Sequence, residues 1–350
     1  MLNEEIVLAK RPVGLPTAEN FAYRTIEIEE PKEGEVLLET LYLSVDPYMR
    51  SKMTDEKSYT AAYELDKAMY GGIVARVIKS ESAQLEVDDI IISNALAWRR
   101  YNTVKAEEVL KVPNKEIPLH LYLGALGLTG HTAYEGLMQI GKPQEGETVV
   151  VSAAAGAVGS VVGQIAKLKG CKVVGIAGGS EKTAYIKDEL GFDAAVDYKA
   201  DDFKEQLAAA LPNGVDVYFE NVGGEVSDEV FTHLNDFARV PVCGAISAYN
   251  KDRSDDMGYR VQRILIKKKV LMQGFIVTQF SYDFENARKN LAQWIAQGEI
   301  KTKASIVKGF ENVPEAFLDL FEGRNFGKHV VEVKPCLLYT SDAADDLQPV

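Results

Sequence analysis

The stretch from Thr148 to Lys182, TVVVSAAAGAVGSVVGQIAKLKGCKVVGIAGGSEK, limits most tightly what this chain can fold into. Thr148–Val151 is a β-branched run that reads as a buried strand. Small residues from Ala153 to Gly159 form a turn, a helical segment reaches about Lys169, Gly170 stops it, and Lys172–Ala177 is a second strand. Strand, glycine turn, helix and strand within about 30 residues is the βαβ unit that holds a dinucleotide. Gly156 would let the backbone approach a pyrophosphate, and Gly159 would let the helix pack close to the strand. The helix N-terminus adds N–H groups and partial positive charge. Ala154 holds the first glycine position, which an alanine fills only if its φ stays negative. The glycines alone would also suit an apolar helix hairpin in another α/β core, but their strand–turn–helix–strand context favours binding.

The end of the second strand bears on the cofactor. An acidic residue there would bind a ribose 2′-hydroxyl, as in NAD enzymes. This chain instead reads Gly178-Gly179-Ser180-Glu181-Lys182. Ser180 suits an N-cap, while a lysine in the first helical turn opposes the helix dipole unless an anion docks there. A 2′-phosphate is such an anion, and the residues therefore predict NADPH. The alternative is a solvated lysine beside Glu181.

With 350 residues the chain has room for two domains. A net charge of −13 argues against nonspecific binding to nucleic acid or anionic membranes, though not against a local basic pocket. Cys171, Cys243 and Cys336 are far apart and form no CxxC, which suits a reducing cytosol and predicts a cytoplasmic protein. Residues 1–5 lack the basic start and apolar core of a signal peptide. Ser152, Ser160 and Gln164 interrupt the longest weakly polar run, so no membrane span is expected.

The first 120 or so residues carry short β signals, Val36–Val45, Gly71–Ile78, Ile90–Ser93 and Val104–Val112, between Pro, Gly, Asn and Asp punctuation. They predict a small barrel-like domain. The chain turns helical from Leu119, and after the 148–177 unit strands are expected at Ala194–Tyr198, Val215–Glu220, Ala238–Gly244 and Val270–Val277. Helices at 181–190, 201–210, 259–268 and Phe284–Gln297 fall between and after them. In the last of these, Phe284, Ala287, Leu291, Trp294 and Ile295 share one face, a core stripe. Six strand signals with helical crossovers make a doubly wound parallel sheet, so the fold class is α/β with a second, β-rich domain. Lys303–Val307 and Lys328–Lys334 return to β character around a helix at 313–322 and are expected to rejoin the first domain. The expected division is 1–122 with 300–335 as the substrate-side domain and 123–299 as the nucleotide-binding domain. Residues 336–350, CLLYTSDAADDLQPV, have no periodicity and read as a non-native tail.

Catalytic zinc needs three protein ligands. His120, His131, His233 and His329 are scattered and none neighbours a cysteine, so no metal is expected. No serine or cysteine nucleophile motif is present, and paired carboxylates such as Asp201-Asp202 and Asp255-Asp256 lie in polar stretches. Tyrosines are the remaining acids near a cofactor, and Asn221 and Tyr249 follow strand ends, where such sheets bind ligands.

Six separated motifs occur in order: Val45-Asp46-Pro47-Tyr48-Met49-Arg50, residues 153–159, Gly179-Ser180-Glu181-Lys182, Glu220-Asn221-Val222-Gly223-Gly224, Cys243-Gly244-Ala245-Ile246-Ser247-Ala248-Tyr249-Asn250 and Asn325-Phe326-Gly327-Lys328. In these the chain, over about residues 1–335, resembles the zinc-independent medium-chain reductases of the leukotriene B4 12-hydroxydehydrogenase, prostaglandin reductase and alkenal double-bond reductase group. The resemblance implies a GroES-like domain beside the Rossmann domain, a homodimer, and NADPH-dependent reduction of the C=C bond of α,β-unsaturated aldehydes and ketones. By the same resemblance Gly156, Ala157, Val158 and Gly159 would cradle the pyrophosphate, and Lys182 and Tyr198 would bind the 2′-phosphate. Asn221, Cys243, Gly244, Ala245, Ile246, Ser247, Tyr249, Phe275, Ile276 and Val277 would line the ribose and nicotinamide, with Asn325 reaching in from the C-terminal segment. Tyr48 and Tyr249 would face the substrate and supply the hydrogen bond that a metal-free site needs for the developing enolate. Tyr198 could instead only pack at a strand end, and Tyr48 could be a buried turn tyrosine. A quinone reductase on the same fold and an NADPH-binding protein without turnover are the other functional readings. Substrate choice would lie in loops such as 51–70 and 250–258.

Overall fold

The computed structural model describes residues 2–335, apart from Lys57, Tyr59 and Arg253. Cys336 and the expected tail lie outside the described residues, as do those three positions of the two specificity loops.

Six parallel strands form one sheet in the spatial order Ala194–Asp197, Lys172–Ala177, Thr148–Ser152, Val215–Phe219, Leu234–Val242 and Leu271–Gly274. The first strand in sequence sits in the middle and the chain winds outward on either side of it. The strand order therefore reverses between Thr148–Ser152 and Val215–Phe219, the place where doubly wound sheets bind ligands. Thr148–Ser152 is buried on both faces, which is why it appears in the sequence as an unbroken apolar run. The helix Gly159–Leu168 returns the chain to the next strand. Its Gly163 faces Phe192, whose ring would stand 1.9 Å from an added Cβ.

The glycine turn differs from the expectation in one respect. Ala154 does keep a negative φ, but its neighbour Ala153 takes the left-handed conformation at φ 49°. Gly159 is then forced by the turn itself, because a Cβ there would lie 2.4 Å from the Ala153 carbonyl oxygen. Two further boundaries move. Ser180 is the first helical residue of Ser180–Ala184, and Gly179, at φ 91°, holds the cap position in its place. The sixth strand is only Leu271–Gly274, since a 3₁₀ segment, Val277–Asp283, follows almost at once.

The second sheet has seven strands. Glu35–Ser44, Tyr70–Ser80 and Ile90–Ala97 form its antiparallel centre, and Tyr101–Lys105 and Leu110–Lys111 replace the single strand expected at 104–112. Ala304–Lys308 and Lys328–Glu332 complete it, with Val331 opposite Leu43, so the C-terminal segment does rejoin the N-terminal one. A separate antiparallel pair, Leu2–Leu8 with Phe21–Glu27, was not expected. The helix Phe284–Ala296 buries Ala287 and Leu291 and packs Trp294 and Ile295 against the core, as its stripe predicts. Among the described residues no helix is long and apolar enough to cross a membrane.

Candidate active site

The turns that leave the carboxyl ends of the parallel strands line a cleft of about 670 Å³. That volume is in the range of a ligand site. Ala153, Ala155 and Gly156 come from the first strand's turn, Gly178 from the second's, Tyr198 and Lys199 from the third's and Val222 through Val226 from the fourth's. The opposite wall comes from Pro47, from the end of the helix Val313–Glu322, and from Asn325.

At the switch point the strand ends are laced together by one buried carboxylate. Glu220 is 2 % exposed, and its Oε1 accepts the backbone N–H groups of Val222 at 2.7 Å and Gly223 at 3.0 Å. The Ser152 hydroxyl donates to the same oxygen at 3.1 Å, and Ser227 donates to Oε2. Asn221 then spans the gap, its Nδ2 donating 2.8 Å to the Ser152 carbonyl and its backbone N–H 2.9 Å to the Ser152 hydroxyl. A carboxylate with this many donors fixes the backbone of the loop that borders the cleft.

The adenosine end is basic. Lys182 donates 2.7 Å to the carbonyl oxygen of Gly323, just past the helix Val313–Glu322. Burial holds its ammonium below the usual lysine range, and Lys199 beside it adds to that shift, while Glu181 opposes it. Asp197, missed in the sequence because an isolated acid reads as solvated surface, clamps this corner. Its Oδ1 accepts the N–H groups of both Gly179 and Lys199 at 2.9 Å. The first glycine of the pair also finds its reason here, since a Cβ on Gly178 would lie 2.8 Å from the Tyr198 ring. Two ammonium groups and a phenol around an open corner fit a phosphate monoester.

Next to the lining residues Pro47, Ser247 and Asn250, Tyr48 sits at the N-cap of the short helix Met49–Lys52 and Tyr249 at the C-cap of the 3₁₀ turn Ile246–Ala248; both expected catalytic tyrosines adjoin the cleft lining and neither forms part of it. The phenol oxygen of Tyr249 lies over Gly244, 3.2 Å from where a Cβ would stand. Asp46 and Lys328 form a buried pair at 2.8 Å behind Tyr48. Lys52 is also buried, its ammonium 3.6 Å from the centre of the Tyr70 ring and 4.5 Å from that of Tyr63, and burial pushes it down to about 8. Arg50 bonds Asn250 at 2.9 Å, so the residue two after Tyr48 meets the residue one after Tyr249.

Gly156, Lys182, Tyr198, Ile246, Ser247 and Asn325 of the expected set line the cleft directly. Ala157, Val158 and Gly159 stand behind Gly156 in the turn and helix start. Asn221, Cys243, Gly244 and Ala245 form the loops at the ends of the fourth and fifth strands, where the Cys243 N–H donates 2.8 Å to the Glu220 carbonyl. Phe275, Ile276 and Val277 continue from the sixth, with Phe275 stacked edge-on against Phe219. Gly327 donates 2.8 Å to the Ala155 carbonyl, which brings the Asn325 segment to the glycine turn. The histidines do not fit a zinc centre. His131 stacks on Phe284, His233 faces Glu229, His329 faces Asp319 and His120 lies beside Tyr42. Among the described residues no three His, Cys, Asp or Glu side chains converge.

A switch-point cleft on a six-stranded parallel sheet, closed by a second β-rich domain, defines a two-domain oxidoreductase of the dinucleotide-binding kind. Residues 4–112 match the family described as the N-terminal domain of oxidoreductase, and residues 157–293 the family described as zinc-binding dehydrogenase. An NADP-dependent oxidoreductase of Bacillus subtilis is 54% identical over 332 residues, covering 94% of this chain and 97% of its own. The NADPH-dependent curcumin reductase of Escherichia coli is 43% identical, covering 95% of this chain and 97% of its own. The crystal structure of CurA in complex with NADPH from Vibrio vulnificus is 48% identical with a TM-score of 0.90, covering 95% of this chain and all of that one. The chain belongs to the medium-chain dehydrogenase/reductase family, in the group whose members include curcumin reductase, prostaglandin reductase 1 and 2-alkenal reductase.

Proposed function

We propose that the chain is an NADPH-dependent reductase of the C=C bond in α,β-unsaturated aldehydes and ketones. The observation that carries this reading is the meeting of residues 46–50 and 246–250 across the cleft, through the 2.9 Å bond from Arg50 to Asn250. It sets two phenol-bearing segments from opposite domains at one end of a cleft whose other end is a phosphate corner. Bound NADPH would supply the hydride, and the α-carbon takes the balancing proton from a tyrosine, the cofactor ribose or water. Lys182, Lys199 and Tyr198 hold the 2′-phosphate, the 156–159 turn holds the pyrophosphate, and the loops at 221–224 and 243–249 hold the ribose and nicotinamide. Phe275, Ile276 and Val277 wall that pocket and Asn325 closes it. Tyr48 and Tyr249 donate hydrogen bonds to the substrate's carbonyl oxygen, where negative charge gathers as the β-carbon is reduced. We assign cofactor binding to residues 123–299 and the substrate side to residues 1–122 with 300–335.

The partner we infer is a second copy of the chain. Leu271–Gly274 is the outer strand of its sheet, all four residues are exposed, and an open edge of this kind pairs readily. Sedimentation at micromolar concentration should give twice the chain mass. Activity is tested with NADPH against a panel of simple enones, 2-alkenals and quinones. Enone and alkenal turnover supports the proposal. Turnover of quinones alone would make the chain a quinone reductase, and tight NADPH binding with no turnover would make it a binding protein.

A further inference from the structure

Arg50 is 4 % exposed, and among the described residues no carboxylate pairs with it. A buried guanidinium without a counterion is costly and persists where its hydrogen bonds hold something in place. Its Nε donates 2.9 Å to Oδ1 of Asn250, and its Nη2 donates 2.8 Å to the carbonyl oxygen of Gly14. The acceptors lie 200 and 36 residues away in the sequence, so one planar side chain joins three segments.

The loop at its far end is fastened asymmetrically. On the inner side, Ile246 and Ser247 donate backbone bonds of 3.3 and 3.0 Å to Asn221 and Val222, within the framework organised by Glu220. On the outer side the Asn250 side chain is held by Arg50. Tyr249 lies between the two fastenings. The phosphate corner around Lys182 and Tyr198 has its own ties to Gly323 and Asp197 and does not depend on Arg50.

We propose that Arg50 is a positioning residue that latches the Tyr249 loop across the cleft, acting on turnover through Tyr249 while leaving the adenosine end of the cofactor site alone. The catalytic consequence rests on the enone-reductase reading; the latch itself does not. Lysine does not reproduce the arginine, because all its N–H donors leave one terminal nitrogen, whereas Arg50 reaches its two acceptors from two separate nitrogens, Nε and Nη2, fixed in one plane.

The test compares Arg50→Lys, Arg50→Ala, Asn250→Ala and the Arg50→Ala/Asn250→Ala double variant. Asn250 lies on a partly exposed loop, so its substitution probes the latch even if the Arg50 variants fold poorly. The bond joins a charged donor to a neutral amide, so each single change should lower kcat on an enone about tenfold or more. The double variant should be no slower than Arg50→Ala alone, because both changes remove one interaction. The Kd of adenosine 2′,5′-bisphosphate, which occupies the phosphate corner alone, should move by less than about threefold. Amide exchange at residues 248–250 should accelerate in every variant without substrate present, and added guanidinium should restore part of the Arg50→Ala rate. Unchanged kcat and exchange in Asn250→Ala, or effects that multiply in the double variant, would overturn the latch. If the wild-type chain reduces no enone, the exchange comparison alone decides: faster exchange supports the latch and unchanged exchange overturns it.

Discussion

Lys328→Met should destabilise the protein severely and tests how the Tyr48 turn is held. Lys328 is 6 % exposed and spends its three N–H donors on the Val45 carbonyl at 3.0 Å, Asp46 Oδ1 at 2.8 Å and the His329 carbonyl at 3.1 Å. Methionine fills the same space with no donor. The substitution strands two buried carbonyls and leaves the Asp46 carboxylate with the Ser44 hydroxyl as its remaining side-chain donor. Removing one member of a buried ion pair costs about 3–5 kcal/mol, most of it from the charge left behind. The stranded carbonyls place the expectation at the upper end of that range. Urea unfolding of the two proteins side by side gives the difference from the midpoints at a common m value. Asp46→Asn on the Lys328→Met background should recover part of the loss, since it removes the unpaired charge. A loss below about 1 kcal/mol, the size of a surface pair, would refute the claim that this pair anchors the turn.

Lys182→Ala should raise the NADPH KM about 10- to 150-fold, the size of a lost charge-assisted contact, and the NADH KM far less. An equal rise for both cofactors would mean that Lys182 acts only by holding Gly323. Glu135 gives a pH-dependent prediction. Burial, with Asp283 adding, pushes its carboxyl from 4.5 up to about 7, while Gln139 opposes the shift. The native state therefore holds this proton more tightly than the unfolded chain, and the stability it contributes is full below about pH 4.5 and lost as pH rises through 7. Glu135→Gln should accordingly raise the melting temperature relative to wild type at pH 8 and lose that advantage by pH 5; an offset independent of pH would contradict it.

The parallel sheet was legible because its signals are local. Apolar β-branched runs followed by small residues and glycine, such as Thr148–Ser152 and Lys172–Ala177, set strand and stop within a few residues. The strand pair Leu2–Leu8 and Phe21–Glu27 was not, because Glu4, Arg24 and Glu27 break its apolar pattern and only cross-strand pairing supplies the missing stability. Ala153 shows tertiary packing overriding residue preference, since a left-handed alanine is disfavoured alone and is tolerated where strand and helix are both fixed. At the candidate site, Lys182 could be picked out because a lysine in a first helical turn calls for an anion, whereas Tyr198 came only with the family resemblance. Asp197 could not, because its role is to bind two backbone N–H groups that only the fold brings near. Arg50 and Asn250 stood in two recognisable motifs, yet nothing in either motif says that they touch.

The central claim is that the site reduces a conjugated C=C bond. Incubation of the protein with 4-deuterated NADPH and a simple enone, followed by mass and NMR analysis of the product, tests it most directly. Phenol hydrogen bonds at the carbonyl oxygen suit charge spread over an enolate, so the product should be the saturated ketone with deuterium on the β-carbon. An allylic alcohol with deuterium on the carbonyl carbon would contradict the account.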